Sequence, residues 1–550
     1  MLSKLQLYII LFLFVVLSSC LNVKSDGVDL LSKAQLVHKC DSNGNIEALT
    51  LKFKSVQKIN DEYLYIISTN ANFKVTLNNL TDTIAFNNVE LRKLPFNNVR
   101  VIPQSDLYFK WINLPEMPLA ELTLYFVKPK SIKDTKIQAL QLVNEKQFNK
   151  KFDKFELFTQ SRLPVLKIVS DSSICSKNQI VTLTVYNKNT NLNDTPFYSG
   201  LAKFKIRGSS SKLFQKKGFK LELIDSIQRN QALLGMPSEH DWVLHGPYVD
   251  ISHIRNKFAY DLARDMGQYA PRIEYCELII NNEYEGLYLL TESIKVDKNR
   301  VNLKKADLTN NELDSYIIKI DRGDDVLFQS DYKSKIDSGW NQFFKSFYPK
   351  ASELSAKQIK GIKTDITLFE TSLLKNNSEY INYIDLESFV DYFIINELTK
   401  NIDAYRLSTF MFKNSSGKLQ MGPVWDFNFS LGLTEHIDGY KHDGWIFQFE
   451  AVPFWWQQLL KKQEFRELLF KRWIELRKET LSTNTIFSKI DGYYCTIEPV
   501  KDRNFIRWNV FNDHLVFRYK KVQSLEEEIE LIKTWIELRL KWIDENLRQL

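Results

Sequence analysis

VWDFNFSLG, Val424 to Gly432, is the stretch on which the reading of this chain turns. Trp425, Phe427 and Phe429 fall on one parity, and Asp426, Asn428 and Ser430 on the other. Strict alternation predicts a half-buried β-strand. The polar parity also gathers a carboxylate, a carboxamide and a hydroxyl, the oxygen donors that a hard cation takes. Whether this is a plain strand or a metal-bearing face depends on what surrounds it.

Upstream, DLESFVDYFIINELTKNID (Asp385 to Asp403) predicts a helix to about Lys400, and NIDAYRLS (Asn401 to Ser408) a loop. TFMFKNSSGKLQMGPVWDFNFS then reads as a hairpin turning at Asn414 to Gly417 and running into the strand of Asp426. Helix, acid-bearing loop, hairpin and acid-bearing strand follow one another in protein kinases too, where a catalytic-loop Asp precedes a metal-binding Asp. Phosphoryl transfer needs such a pair: one carboxylate to orient the attacking hydroxyl, another to hold Mg²⁺ against the phosphates. Asp403 is the candidate base, with Asp426 and Asn428 as candidate metal ligands. The plainer alternative is that both acids cap loops.

A second constellation is KFKIRGSSSKLFQKKGFKLEL, Lys203 to Leu223. As two strands it puts Phe204 and Ile206 on one face and Lys203, Lys205 and Arg207 on the other; Phe219, Leu221 and Leu223 return facing the core, with Lys220 outward. Between them lies a Ser- and Lys-rich tip whose amides and hydroxyls suit a phosphate, although no G-x-G-x-x-G is present. A solvated basic hairpin would have the same composition.

The rest of the chain sets the frame. It has 550 residues, 44% of them hydrophobic and 13% aromatic, enough to bury large cores and not the composition of a disordered chain. The net charge of +7 is mild and the basic residues are interleaved with acids, which argues against nucleic acid as a partner. Lys4 precedes the apolar run LQLYIILFLFVVL (Leu5 to Leu17), which is too short to span a bilayer comfortably and reads as a secretory signal. Its ending, Leu17-Ser18-Ser19-Cys20, resembles a bacterial lipobox, which implies export, lipidation at Cys20 and a membrane tether at the cell envelope or surface. Cys40, Cys175, Cys276 and Cys495 show neither zinc-ligand spacing nor a disulfide framework, and His245 and His253 read as structural or surface residues.

Residues 21–162 carry short alternating runs between Asn-rich turns and predict an all-β, sandwich-like domain. Residues 163–550 mix strands with helices, for an α+β fold with a helical C-terminal part. DISHIRNKFAYDLARDMG is read as a helix with Ile254, Phe258, Leu262 and Met266 on one face, and YCELIINNEYEGLYLLTES as a hairpin turning at Asn281-Asn282. The last helix starts at Ser524 with Glu527 as a capping-box partner, followed by a stripe of Ile529, Ile532, Trp535, Ile536, Trp542 and Ile543.

Taken in order, IRGSSS with KKGFKLEL, the D-W and R-N segment Leu233 to Gly267, ELIINNEYEGLYLLTESI, NELTKNID and VWDFNFSLG resemble the spore-coat protein H (CotH) kinase family, a group of atypical protein-kinase-like proteins. The resemblance implies a kinase-like fold using ATP and Mg²⁺ (or Mn²⁺) to phosphorylate Ser or Thr of proteins. Carried over by motif, Asp403 is the catalytic acid and Asp426 the metal ligand. Ser209 and Ser210 belong to the phosphate tip, Lys217 or Lys220 contacts the nucleotide phosphates, and Glu292 is that lysine's acidic partner. Arg207 and Arg255 fit either phosphate contacts or structural ion pairs. Two departures stand out: Asn428 replaces a second Asp, and Ser408 lies about where a catalytic loop carries a metal-binding Asn. The competing readings are an inactive, kinase-like surface binding or adhesion lipoprotein, and a non-kinase transferase or hydrolase using the same Asp pair.

Overall fold

The computed structural model describes residues 160–550 apart from 225–228, 324, 414–416, 509 and 512–517, and before residue 160 only the strands of the backbone. The apolar run and Cys20 lie outside the described residues. Two compact units divide the chain, Met1–Asp153 and Lys154–Leu550.

In the first unit, Gln35–Cys40, Asn45–Phe53, Ala120–Ser131, Leu107–Asn113 and Val99–Val101 form one antiparallel sheet in that order. Val56–Asn60, Tyr63–Ser68 and Ala71–Lys74 form a meander, and Leu77–Leu80, Thr83–Phe86 and Lys136–Ile137 a third small sheet. The unit is β-rich.

The second unit starts with a closed barrel of β1 (Val165–Val169), β2 (Gln179–Tyr186), β3 (Tyr198–Arg207), β4 (Gly218–Leu223), β5 (Asp241–His245), β6 (Ile273–Ile280) and β7 (Glu283–Glu292). Neighbours run β1-β2-β3-β4-β5-β7-β6, and a parallel β6–β1 pairing closes the ring. Period-two alternation fills the interior: Phe204 and Phe219 stack at 4.6 Å, beside fully buried Leu183, Leu221, Leu223 and Trp242. The same alternation turns Lys203, Lys205, Arg207 and Lys220 outward, as read from the sequence. Asn281 and Asn282 take φ of 49° and 64°, the left-handed pair that a two-residue hairpin turn requires.

Helix α1 (Arg255–Asp265) lies between β5 and β6 and buries Ile254, Phe258, Leu262 and Met266 as expected. A second sheet follows, formed by β8 (Tyr316–Ile320), β9 (Phe328–Lys335), β10 (Ser338–Tyr348), and, after helices α2 (Ala356–Leu374) and α3 (Leu386–Thr399), β11 (Thr409–Lys413) and β12 (Leu419–Met421). Its order is β9-β10-β8-β11-β12. Helices α4 (Trp455–Leu459), α5 (Gln463–Lys478), α6 (Thr483–Ile497), α7 (Lys501–Arg507) and α8 (Leu525–Asn546) complete the unit.

α3 is the axis of this half. Asp385 caps it by accepting the N–H of Ser388 at 2.8 Å, and nearly every later residue is buried. A helix apolar all round belongs inside a core, and α3 packs against α1, α5 and α8. It ends where Lys400 turns left-handed (φ 44°), releasing the chain into the loop of Asp403. At α8, Ser524 accepts the N–H of Glu527 as predicted, but the Glu527 carboxylate reaches back to the N–H of Gln523 instead of Ser524.

The hairpin before Asp426 is borne out by β11 and β12, with residues 414–416 outside the described residues. The strand predicted for Val424–Gly432 is not: that stretch is irregular, with Asp426 at φ 66° and Leu431 at φ 51°. Its backbone groups pair with side chains of α1 instead of a neighbouring strand. The N–H of Asp426 donates to Tyr260 Oη (3.1 Å) and that of Phe427 to Asn256 Oδ1 (2.7 Å), while the carbonyls of Ser430 and Leu431 accept from Arg255 (2.8 and 3.3 Å). Gly432, at φ 76°, ends the segment against α8, where a Cβ would lie 2.6 Å from the Trp535 ring.

Candidate active site

The segment misread as a strand still brings its acid near Asp403. Asp426 and Asp403 come from loops on either side of the β11–β12 hairpin, and those loops are tied together: Leu431 N–H donates to Thr399 O at 2.8 Å and Ile402 N–H to Phe429 O at 3.4 Å. The two carboxylates are close enough for the charge of Asp403 to act on Asp426. Burial, then the negative charge of Asp403, pushes the Asp426 carboxyl up to about 6, opposed by Arg207 and Lys319. Asp403 is also held above the ordinary range, first by burial, against Arg406, Arg322 and His436.

Their partners differ. Asp403 accepts from Arg406 Nη2 at 2.9 Å. The carboxylate of Asp426 accepts no hydrogen bond and forms no ion pair among the described residues, and the Asn428 amide is likewise unbonded there. Two partly buried oxygen donors in one loop, each left open among the described residues, suit a hard cation. The donor set of carboxylate and carboxamide oxygen suits Mg²⁺ or Mn²⁺ and not a soft metal.

Arg207 is the one proposed nucleotide contact that the fold brings directly to these acids. It ends β3, acts electrostatically on Asp426, and stacks its guanidinium 5.6 Å from the Trp425 ring, which itself stacks on Tyr260 at 5.8 Å. Ser209 is exposed at the tip and caps a short 3₁₀ turn without a side-chain bond. The side chain of Ser210 lies outside the described residues.

The lysines separate. Lys217 curls onto its own loop and donates to the carbonyls of Lys212 (2.7 Å) and Phe214 (2.5 Å). Lys220 stands on the outer barrel face, 3.4 Å from Asp241. Glu292 is not the partner of either, which corrects the motif-based expectation. It is fully buried and pairs with Arg272 at 3.0 Å and Arg300 at 3.2 Å, because β7 turns it beneath the outer face toward those guanidiniums. Beside Lys220, the acids Glu239 and Asp241 and the ring of His240 converge as metal ligands would. The ammonium of Lys295 already fills their centre, at 3.0, 3.0 and 3.3 Å, so this cluster is a salt-bridge network.

Arg255 resolves to the structural alternative. It is buried against Asp250 (2.6 Å) and Glu528 (2.8 Å) while bonding the Asp426 loop. A cavity of about 430 Å³ opens behind it, lined by Leu431, Tyr440, Arg518 and Trp535; neither acid lines it.

In the NELTKNID motif Asp403 is the residue whose charge acts on Asp426, and Asn401 Oδ1 accepts its N–H at 3.2 Å. Glu397 accepts the N–H groups of Ile446 (2.9 Å) and Phe447 (2.8 Å) and pairs with Arg539 at 3.3 Å. Lys400 donates to the carbonyls of Asp438, Lys441 and Asp443. They frame the loop that presents the acid.

Sequence reasoning missed Asn256, Tyr260, Arg322, Arg406 and Asp321. Asn256 and Tyr260 are four apart on α1 and so share a face, a signal that was present but overshadowed by the apolar stripe. Asp321, whose charge acts on both Asp403 and Asp426, comes from a segment with no motif at all.

Comparison with known proteins bears on this geometry. The family model described as CotH kinase protein matches residues 204–543. The inner spore coat protein H of Bacillus subtilis (strain 168) is 22% identical over 356 residues, covering 62% of this chain and 86% of that protein. Among solved structures, the Helicobacter pylori proinflammatory kinase CtkA aligns over 60% of this chain and 94% of its own at 9% identity, with a TM-score of 0.28. At that score the likeness carries nothing further.

Proposed function

The chain belongs to the CotH kinase protein family, and from that premise we propose that its second unit is an atypical kinase transferring phosphate from ATP to Ser or Thr of proteins. The observation that carries the reading is the meeting of Asp403 and Asp426 at one site, with Asp426 and Asn428 left unbonded among the described residues. Asp403, fixed by Arg406, orients the substrate hydroxyl and takes up its proton as the oxygen attacks. Arg207 faces the phosphates from the barrel, and Lys220 reaches them by leaving its half-exposed ion pair with Asp241, since Lys217 is bound to its own loop. Asp426 and Asn428 would hold Mg²⁺ or Mn²⁺, which supplies charge neutralisation of the phosphates when bound. Positioning and electrostatics are most of what this chemistry asks of a protein.

The test is transfer of labelled γ-phosphate from ATP to a Ser/Thr peptide library and to the chain itself. Transfer that falls by at least about a hundredfold in Asp403→Asn is expected for loss of a general base. Transfer unaffected by Asp403→Asn would overturn the assignment. A catalytically weak surface binding or adhesion protein is the second reading, favoured by the charge that Asn428 lacks; it forecasts nucleotide binding without transfer.

Export and a lipid tether at Cys20 belong to the same proposal and rest on the Leu5–Leu17 run with its Leu17-Ser18-Ser19-Cys20 ending. Among the described residues no helix is long and apolar enough to cross a membrane. Cys20→Ala should move the protein from the membrane to the soluble fraction; unchanged fractionation would count against the anchor.

A further inference from the structure

By the family pattern, two oxygen ligands are weaker or missing here: Asn428 stands for a carboxylate and Ser408 for a carboxamide. The fold brings another acid within electrostatic reach of Asp403 and Asp426. β8 runs antiparallel to β11 with Ile320 opposite Thr409. Carrying that register one residue further sets Asp321 beside Ser408, at the mouth of the Asp403 loop. Its backbone is fixed there by the N–H of Asp321 donating to Phe343 O at 3.2 Å.

The charges around it are unequally shared. Asp403 has Arg406 at 2.9 Å, and Asp321 has Lys319 at 2.5 Å, while Asp426 has no ion pair among the described residues. Asp321 lies within electrostatic reach of both other acids and so adds to the negative charge gathered there. Its oxygens accept from Lys319 Nζ and from Arg322 N–H (2.9 Å), and a carboxylate with about four acceptor sites keeps room for a cation. The same ammonium lies over the Phe410 ring at 5.8 Å while it pairs with Asp321.

We propose that Asp321 is the second carboxylate of the divalent-cation site, supplied from the end of β8 to the cation that Asp426 and Asn428 would hold. The inference rests on the kinase reading above. It places the missing charge just past the end of the central strand β8, so that the loop motif and the sheet build the site together. Lys319 then acts as a stand-in cation on Asp321 and competes with the metal for its carboxylate.

The test uses Mn²⁺ titrated into the full chain with a non-hydrolysable ATP analogue, free Mn²⁺ being read from its electron paramagnetic resonance signal. Circular dichroism and melting show that each variant is folded. The unsubstituted chain should bind Mn²⁺ and Asp426→Ala should not. Asp321→Asn should weaken Mn²⁺ by at least about tenfold, the loss that even an outer partner's removal can cause. Lys319→Met should bind Mn²⁺ as tightly or more tightly, since it removes a competing positive charge. Loss in Asp426→Ala with no change in Asp321→Asn would overturn the role of Asp321 and leave the kinase reading standing. Equal weakening in Asp321→Asn and Lys319→Met would also overturn it, making Asp321 only a counter-ion. No Mn²⁺ binding by the unsubstituted chain would overturn both this inference and the metal site beneath it.

Discussion

Asn256 holds Phe427 in place: its Oδ1 accepts the Phe427 N–H at 2.7 Å, while its Nδ2 donates to Nε2 of His245 at 3.1 Å. One carboxamide thereby joins β5, α1 and the loop that carries Asp426. The arrangement needs a neutral His245, and burial takes that imidazole down to about 4. Asn256→Ala should leave a buried N–H and a ring nitrogen unpaired, costing about 1–3 kcal/mol of stability. Metal-dependent nucleotide binding should weaken with it, because the Asp426 loop loses its anchor. Urea unfolding with parallel calorimetry measures both; a variant as stable and as tight as the original would remove Asn256 from the account.

The second prediction concerns the core beneath the Asp403 loop. Arg539 is fully buried and donates to the Glu397 carbonyl at 2.8 and 2.6 Å, as well as to its carboxylate at 3.3 Å. Arg539→Met strands a buried carboxylate, a loss of about 3–5 kcal/mol. Pairing it with Glu397→Gln should recover part of that loss. Chemical denaturation of the two single variants and the double variant gives the coupling; additive losses would mean that the pair is not an energetic unit.

How much of this was legible beforehand differs from residue to residue. The barrel strands and α1 announced themselves by period, because Phe204, Phe219 and Leu221, or Phe258 and Leu262, must share a buried face. That the loops of Asp403 and Asp426 adjoin was legible by motif and order. The strand assigned to Val424–Gly432 failed because alternation reports which side chains can be buried, not where backbone hydrogen bonds go. Here those bonds go to Asn256, Tyr260 and Arg255, some 170 residues away in sequence. Glu292 failed for a related reason: Arg272 and Arg300 reach it only once β7 and the segment after it are folded. Asp321 depends on the β8–β11 register, which no local pattern encodes.

A third prediction follows from Glu370. It is buried on α2, bonded to Ser330 Oγ (2.8 Å) and Trp455 Nε1 (2.9 Å), and burial raises its carboxyl to about 7. An acid raised on folding contributes fully below its unfolded value near 4.5 and loses that contribution as pH climbs through about 7. At about 1.4 kcal/mol per pH unit, the loss is worth roughly 3 kcal/mol. Glu370→Gln keeps one donor for Ser330 and one acceptor for Trp455 without the charge. The variant should match the original near pH 4.5 and exceed its stability by up to roughly 3 kcal/mol above pH 7. Unfolding curves across that range test it, and parallel pH profiles for the two proteins would refute the assignment.

The central claim is that Asp426 anchors a metal-dependent nucleotide site. The most direct measurement is calorimetric titration of ATP into the chain beginning after Cys20, with and without Mg²⁺ or Mn²⁺, beside Asp426→Ala. The account predicts binding that requires the metal and disappears in the variant. Binding that ignores the metal, or that survives Asp426→Ala unchanged, would contradict it.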